Sequence, residues 1–108
     1  MKRILPLLLI LCVPLLGEDK DKPLPKDFKS LKALAEKGSV NAQLRLWTMF
    51  AEEEDFKEAF MWCLKAARQE HAGAQFNLGQ MYRDGQGVPR NSEKAVEWYR
   101  KAAEQGLA

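Results

Sequence analysis

Histidine and cysteine are nearly absent from this chain. Its 108 residues include one His, His71, and two Cys, Cys12 and Cys63. A zinc site takes three or four nitrogen or sulfur ligands, so a metal centre is not expected. No Ser-x-x-Lys pair and no Ser/His/Asp order offers a nucleophile with its base. Excess charge of one sign is missing too: 17 basic residues face 15 acidic ones, for a formal net charge of +2. Without a basic stripe, nucleic acid is not an expected partner. A bilayer-length apolar run is also lacking. The longest, Ile4 to Leu16, has thirteen residues and contains Pro6 and Pro14, whereas a helical span needs roughly 20. No segment alternates apolar and polar residues long enough to read as a strand.

What the first residues do contain is a three-part pattern. Lys2 and Arg3 precede the apolar run, and small Gly17 is followed at once by Glu18-Asp19-Lys20. Residues 1–17 therefore read as a secretory signal peptide cleaved near Gly17, with no stable membrane span afterwards and a secreted or periplasmic destination. An uncleaved anchor is the alternative. A lipoprotein signal fits poorly, because Leu11 before Cys12 is not small. Loss of Lys2 and Arg3 leaves 15 basic residues against 15 acidic ones, so the mature chain is formally neutral. It retains only Cys63, and no internal disulfide is possible. Residues 18–26, EDKDKPLPK, read as a charged, proline-containing, solvated linker.

Beyond the linker, the chain repeats itself. At an offset of 32, Ala35, Ala42, Gln43, Leu46 and Met49 fall on Ala67, Ala74, Gln75, Leu78 and Met81, and Phe50 falls on Tyr82. At an offset of 36, Ala59, Trp62, Lys65, Ala66, Ala67 and Gln69 fall on Ala95, Trp98, Lys101, Ala102, Ala103 and Gln105. The difference of four places an insertion within 83–91. At an offset of 68, residues 31–38 fall on 99–106. Apolar residues at i, i+3, i+4, i+7 and i+8, such as Ala95, Trp98, Tyr99, Ala102 and Ala103, mark one helical face. Five helices are expected, over 27–37, 40–51, 55–69, 73–84 and 91–105, joined by short connections into antiparallel pairs.

The stretch 74–106, with Ala74, Leu78-Gly79, Tyr82, Gly85-x-Gly87-Val88, Lys94-Ala95, Trp98-Tyr99, Lys101-Ala102-Ala103 and Gly106, resembles a Sel-one-like repeat, a relative of the tetratricopeptide repeat. Residues 40–71 resemble a shorter, degenerate unit in which Trp47 stands where Gly79 does and the Gly-x-Gly-Val insert is missing. The resemblance implies an all-α fold: a short right-handed α-solenoid of antiparallel helix pairs with about two and a half repeats. Its units would be a lead half repeat at 27–39, a degenerate repeat at 40–71 and a well-matched repeat at 72–108. It also implies an adaptor, whose first helices line a groove for a peptide or a partner protein. Some cysteine-rich relatives are described as β-lactamases or penicillin binders. A β-lactamase-like or cell-wall-peptide hydrolase is thus the alternative function, although this chain lacks their cysteine pairs.

By helical position the groove presents Leu44, Arg45, Thr48 and Glu52 from one unit and Phe76, Asn77, Gln80, Arg83 and Asp84 from the next; these are the expected partner-binding residues. No catalytic residue and no cofactor is expected. Gly85-Gln86-Gly87 follows a helix and lacks a downstream Gly-Lys-Ser/Thr, so it reads as a turn rather than a phosphate cradle. Asn91 or Ser92 should cap the helix after it. The acidic run at 52–55 reads as a solvated helix start, and Cys63, on the packed stripe at the place of Tyr99, as a buried small hydrophobe. Repeat arrays usually need three units and a polar cap. The uncapped C-terminal end is therefore an expected site of self-association.

Overall fold

The computed structural model describes residues 23–106. The expected leader at 1–17, the first part of the linker, Leu107 and Ala108 lie outside the described residues. Among the described residues five helices follow one another: α1 Phe28–Glu36, α2 Val40–Glu52, α3 Phe56–Arg68, α4 Ala72–Asp84 and α5 Ser92–Glu104. Each packs chiefly against its neighbours in sequence. The fold is an all-α solenoid of paired antiparallel helices with about two and a half repeats.

One device starts every helix. The residue before the first turn accepts a hydrogen bond from the backbone N–H three positions on, which satisfies one of the donors a helix leaves unpaired. The caps are Asp27 (to Ser30, 2.8 Å), Ser39 (to Ala42, 3.2 Å), Asp55 (to Glu58, 3.4 Å) and Asn91 (to Lys94, 3.0 Å). The fifth is His71, whose Nδ1 accepts from Ala74 at 3.0 Å. His71 thus fills the place of Ser39 one unit earlier, and the lone imidazole is a helix cap.

The connection between α4 and α5 confirms a geometric role for its glycines. Gly85 ends α4 with φ 72°. Gly87, with φ 74°, lies so close to the carbonyl of Phe56 at the start of α3 that a Cβ there would collide with it. The four extra residues therefore fold back onto the preceding unit, and the Asn91 N–H closes the loop on the Tyr82 carbonyl at 2.8 Å.

Packing repeats with the sequence. Leu31, Leu46 and Leu78 are fully buried, each contributing about 1.5–3 kcal/mol. Phe28 meets Phe50 edge-on at 6.0 Å, and one unit later Phe60 meets Tyr82 edge-on at 5.4 Å. A glutamine clamp also recurs. Gln43 donates to the Ala35 carbonyl (3.0 Å) and accepts from Gln69 (3.1 Å); Gln75 donates to the Ala67 carbonyl (3.2 Å) and accepts from Gln105 (2.8 Å). Each clamp ties one unit's first helix to the end of the helix before it and to the end of its own partner helix. Trp62 is 3% exposed. Its equivalent Trp98 is half-buried, and Ala103 is exposed where Ala67 is buried. The outer flank of α5 is the more open face.

Cys63 is buried, and its thiol lies 3.4 Å from the Ala74 carbonyl as a donor. Burial pushes the thiol pKa up to about 12. A thiol held protonated in this way is a poor nucleophile.

Candidate functional site

On α2, Asn41, Leu44, Arg45 and Thr48 fall at i, i+3, i+4 and i+7 and so share one helical face. They line a shallow depression of about 320 Å³. The opposite face of α2 buries Ala42, Gln43 and Leu46 in the core. Packing therefore fixes which way Arg45 and Thr48 point. Both are exposed, and Thr48 Oγ1 donates to the Leu44 carbonyl at 3.0 Å, which holds its rotamer.

The same face recurs on α4. An offset of 32 carries the α2 set to Gly73, Phe76, Asn77 and Gln80. Phe76, Asn77 and Gln80 are half-buried. The Phe76 ring leans on Tyr99 of α5, with centroids 5.3 Å apart. The Tyr99 hydroxyl is buried there without a hydrogen-bond partner. At the end of the helix Arg83 and Asp84 pair with each other, Nε to Oδ1 at 3.0 Å and an N–H of the other guanidinium nitrogen to Oδ2 at 3.3 Å. That hydrogen bond holds the Asp84 carboxyl below, and the Arg83 guanidinium above, their ordinary values. Both side chains are exposed. The two expected charges thus largely satisfy each other, and the face carries no net charge from them.

Arg45 and Thr48 come together around one depression, Phe76 is tied to Tyr99, and Arg83 to Asp84. Leu24 is the residue that reading the sequence missed. It lies in the segment expected as a solvated linker. Of the described part, Pro23 and Lys26 are exposed, but Leu24 and Pro25 are half-buried. Leu24 lines the same depression as Arg45 and Thr48, and it packs against the cluster of Leu31, Ala35, Ala42, Leu46 and Trp62. A lone leucine between two prolines in an otherwise charged stretch was the available signal.

Among the described residues, no three His, Cys, Asp or Glu side chains gather so as to hold a metal ion. No described helix is long and apolar enough to cross a membrane.

The Sel1 repeat pattern matches residues 50–71 and 72–107. Over 51 residues, 47% of its length, the chain is 51% identical to the chitin synthase regulator SKT5 of Saccharomyces cerevisiae, of which it spans 7%. Its structure is similar to that of a Sel1 repeat protein from Oxalobacter formigenes, with a TM-score of 0.69, 38% identity, and coverage of 73% of this chain and 24% of that one. It is also similar to c5321, a protective antigen present in uropathogenic Escherichia coli strains that displays an SLR fold. That likeness has a TM-score of 0.66 and 34% identity, and covers 84% of this chain and 21% of that one. The chain spans less than a quarter of each of these proteins. Repeats of this type are scaffolds with a general role in protein–protein interaction. With two consecutive matches over more than half its length, the chain belongs to the Sel1 repeat family.

Proposed function

We propose that this protein is an exported adaptor that holds a peptide or protein segment along the face built by α2 and α4. The observation that carries this reading is the recurrence of one outward face on two successive first helices. Asn41, Leu44, Arg45 and Thr48 stand on α2, and Gly73, Phe76, Asn77 and Gln80 on α4, with the Arg83–Asp84 pair at its end. The opposite faces are anchored in the core by Leu46 and Leu78. A bound segment would meet a prearranged surface and lose little affinity to ordering it. The basic-apolar-small pattern of residues 1–17 supports export.

The test is affinity capture from the exported compartment, with an Asn77→Ala/Arg83→Ala double variant beside the parent chain. Capture should weaken while helicity by circular dichroism stays the same. Unaltered capture would remove this face from the reading. Self-association through the outer flank of α5, where Trp98 and Ala103 are more open than Trp62 and Ala67, belongs to the same reading. Light scattering that shows a strict monomer at micromolar concentration would discard it.

A further inference from the structure

We propose that Pro23-Leu24-Pro25 is an intramolecular occupant of the α2 face, and that the segment this face accepts from a partner is an extended peptide of the same kind, a leucine flanked by prolines. This rests on the groove reading above and narrows it to one ligand chemistry and one competitor.

Three observations converge. Leu24 lines the depression formed by Asn41, Leu44, Arg45 and Thr48. It also packs against the buried cluster of α1, α2 and Trp62, so it is seated rather than passing over the surface. And the backbone of the segment is stiff before it docks. Pro25 bars Leu24 from helical geometry, and the prolines themselves hold φ near −65°, which favours an extended form with no internal hydrogen bonds. A segment of this kind loses little conformational entropy on binding.

The chain continues from Pro25 into the cap Asp27 and α1 within three residues. The occupant is thus tethered beside its seat, and a short tether gives an effective concentration in the millimolar range. Half-burial of one leucine closes such a tethered contact by about fivefold over the open form. The contact is weak enough for a partner to displace, and strong enough to set a threshold for partners that bind only through a leucine of their own.

The experiment uses the full chain and a fluorescent peptide copying residues 18–26. Binding is read by anisotropy for the parent, for Leu24→Ser and for Leu24→Ser/Thr48→Arg. Thr48 is exposed, so Arg there fills the depression without disturbing the core. Leu24→Ser should bind the peptide about fivefold more tightly than the parent, and the double variant should not bind. Without peptide, Leu24→Ser should shift the backbone amide resonances of Arg45 and Thr48. Equal affinity of parent and Leu24→Ser, absence of binding by Leu24→Ser, or binding indifferent to Thr48→Arg each overturns the proposal. If the peptide fails while partner capture still depends on Asn77 and Arg83, only this inference falls. If both fail, the groove reading falls with it.

Discussion

Gly79 and Tyr99 exchange volume with Trp47 and Cys63. In the second full unit the first helix carries the small residue and the second helix the large one; in the first unit the order is reversed. A Cβ at Gly79 would lie 2.8 Å from Tyr99 Cδ1, 2.9 Å from Cε1 and 3.1 Å from the backbone carbonyl of Ala95. Gly79→Ala should gain about 1 kcal/mol of helix propensity. It must also displace the Tyr99 ring, at an overpacking cost of about 1–3 kcal/mol, and loosen the contact with Phe76, for about 0.5–1.5 kcal/mol more. The net expectation is a loss of about 0.5–3.5 kcal/mol. In a domain of this size that lowers Tm by about 4–8 °C per kcal/mol. The sharper test transplants the upstream pair whole. Gly79→Trp alone should be severely destabilising. Tyr99→Cys alone should cost about 2 kcal/mol, because the ring is only half-buried. Together they should cost far less than the two separately, with a coupling of about 2–3 kcal/mol. Urea unfolding followed at 222 nm measures the parent and the four variants. Greater stability of Gly79→Ala than of the parent, or simple additivity of the pair, would refute the argument.

Three further outcomes follow from single residues. Glu70 has φ 67° at the position that Gly38 and Gly106 fill with φ 109° and 97°. Glu70→Gly should relieve about 1–2 kcal/mol of left-handed strain, less the extra entropy glycine loses on folding, and so stabilise the chain by about 0.5 kcal/mol; a lower urea midpoint would contradict this. Gln75→Leu removes the donor to Ala67 and the acceptor for Gln105, at a site 1% exposed. It should cost about 1–3 kcal/mol, and an unchanged midpoint would show that the clamp contributes nothing. Cys63 has a folded pKa of about 12 against an ordinary 9.0. The folded chain therefore keeps a proton that the unfolded chain releases, so its contribution is intact below about pH 9 and falls as pH rises towards 12. Thiol labelling mapped to Cys63 at pH 8 should be slow in the folded chain and fast in urea; fast labelling of the folded chain would refute the burial argument.

Much of the fold was legible because its determinants are local and repeated. Asn91 caps its helix as the sequence indicated, Asp27, Ser39 and Asp55 are caps of the same ordinary kind, and the expected helix boundaries lie within one residue of those observed. His71 was harder to read as a cap, because an imidazole accepts a hydrogen bond only through an unprotonated nitrogen. The outward faces of α2 and α4 were legible from helical spacing alone. What seats against α2 was not: Leu24 contacts residues that lie on the far side of α1 in sequence, and an average over EDKDKPLPK hides one leucine among charges. The kind of partner was equally hidden, since Arg83 and Asp84 neutralise each other only once their side chains meet.

The volume exchange also explains where sequence similarity stops. The Sel1 pattern enters the first unit at residue 50, just beyond Trp47, the residue that replaces the small one at Gly79. Yet α2 is a complete helix of thirteen residues. It is capped by Ser39 and clamped through Gln43 to Ala35 and Gln69, as α4 is capped by His71 and clamped through Gln75 to Ala67 and Gln105. Trp47 packs against both core clusters, one of which contains buried Cys63. A unit that puts its bulk on the first helix and a small thiol on the second fills the same interior as its neighbour. Close packing constrains the volume shared between two helices rather than the residue on either one. The physical repeat therefore extends through α2, where residue-by-residue resemblance has already faded.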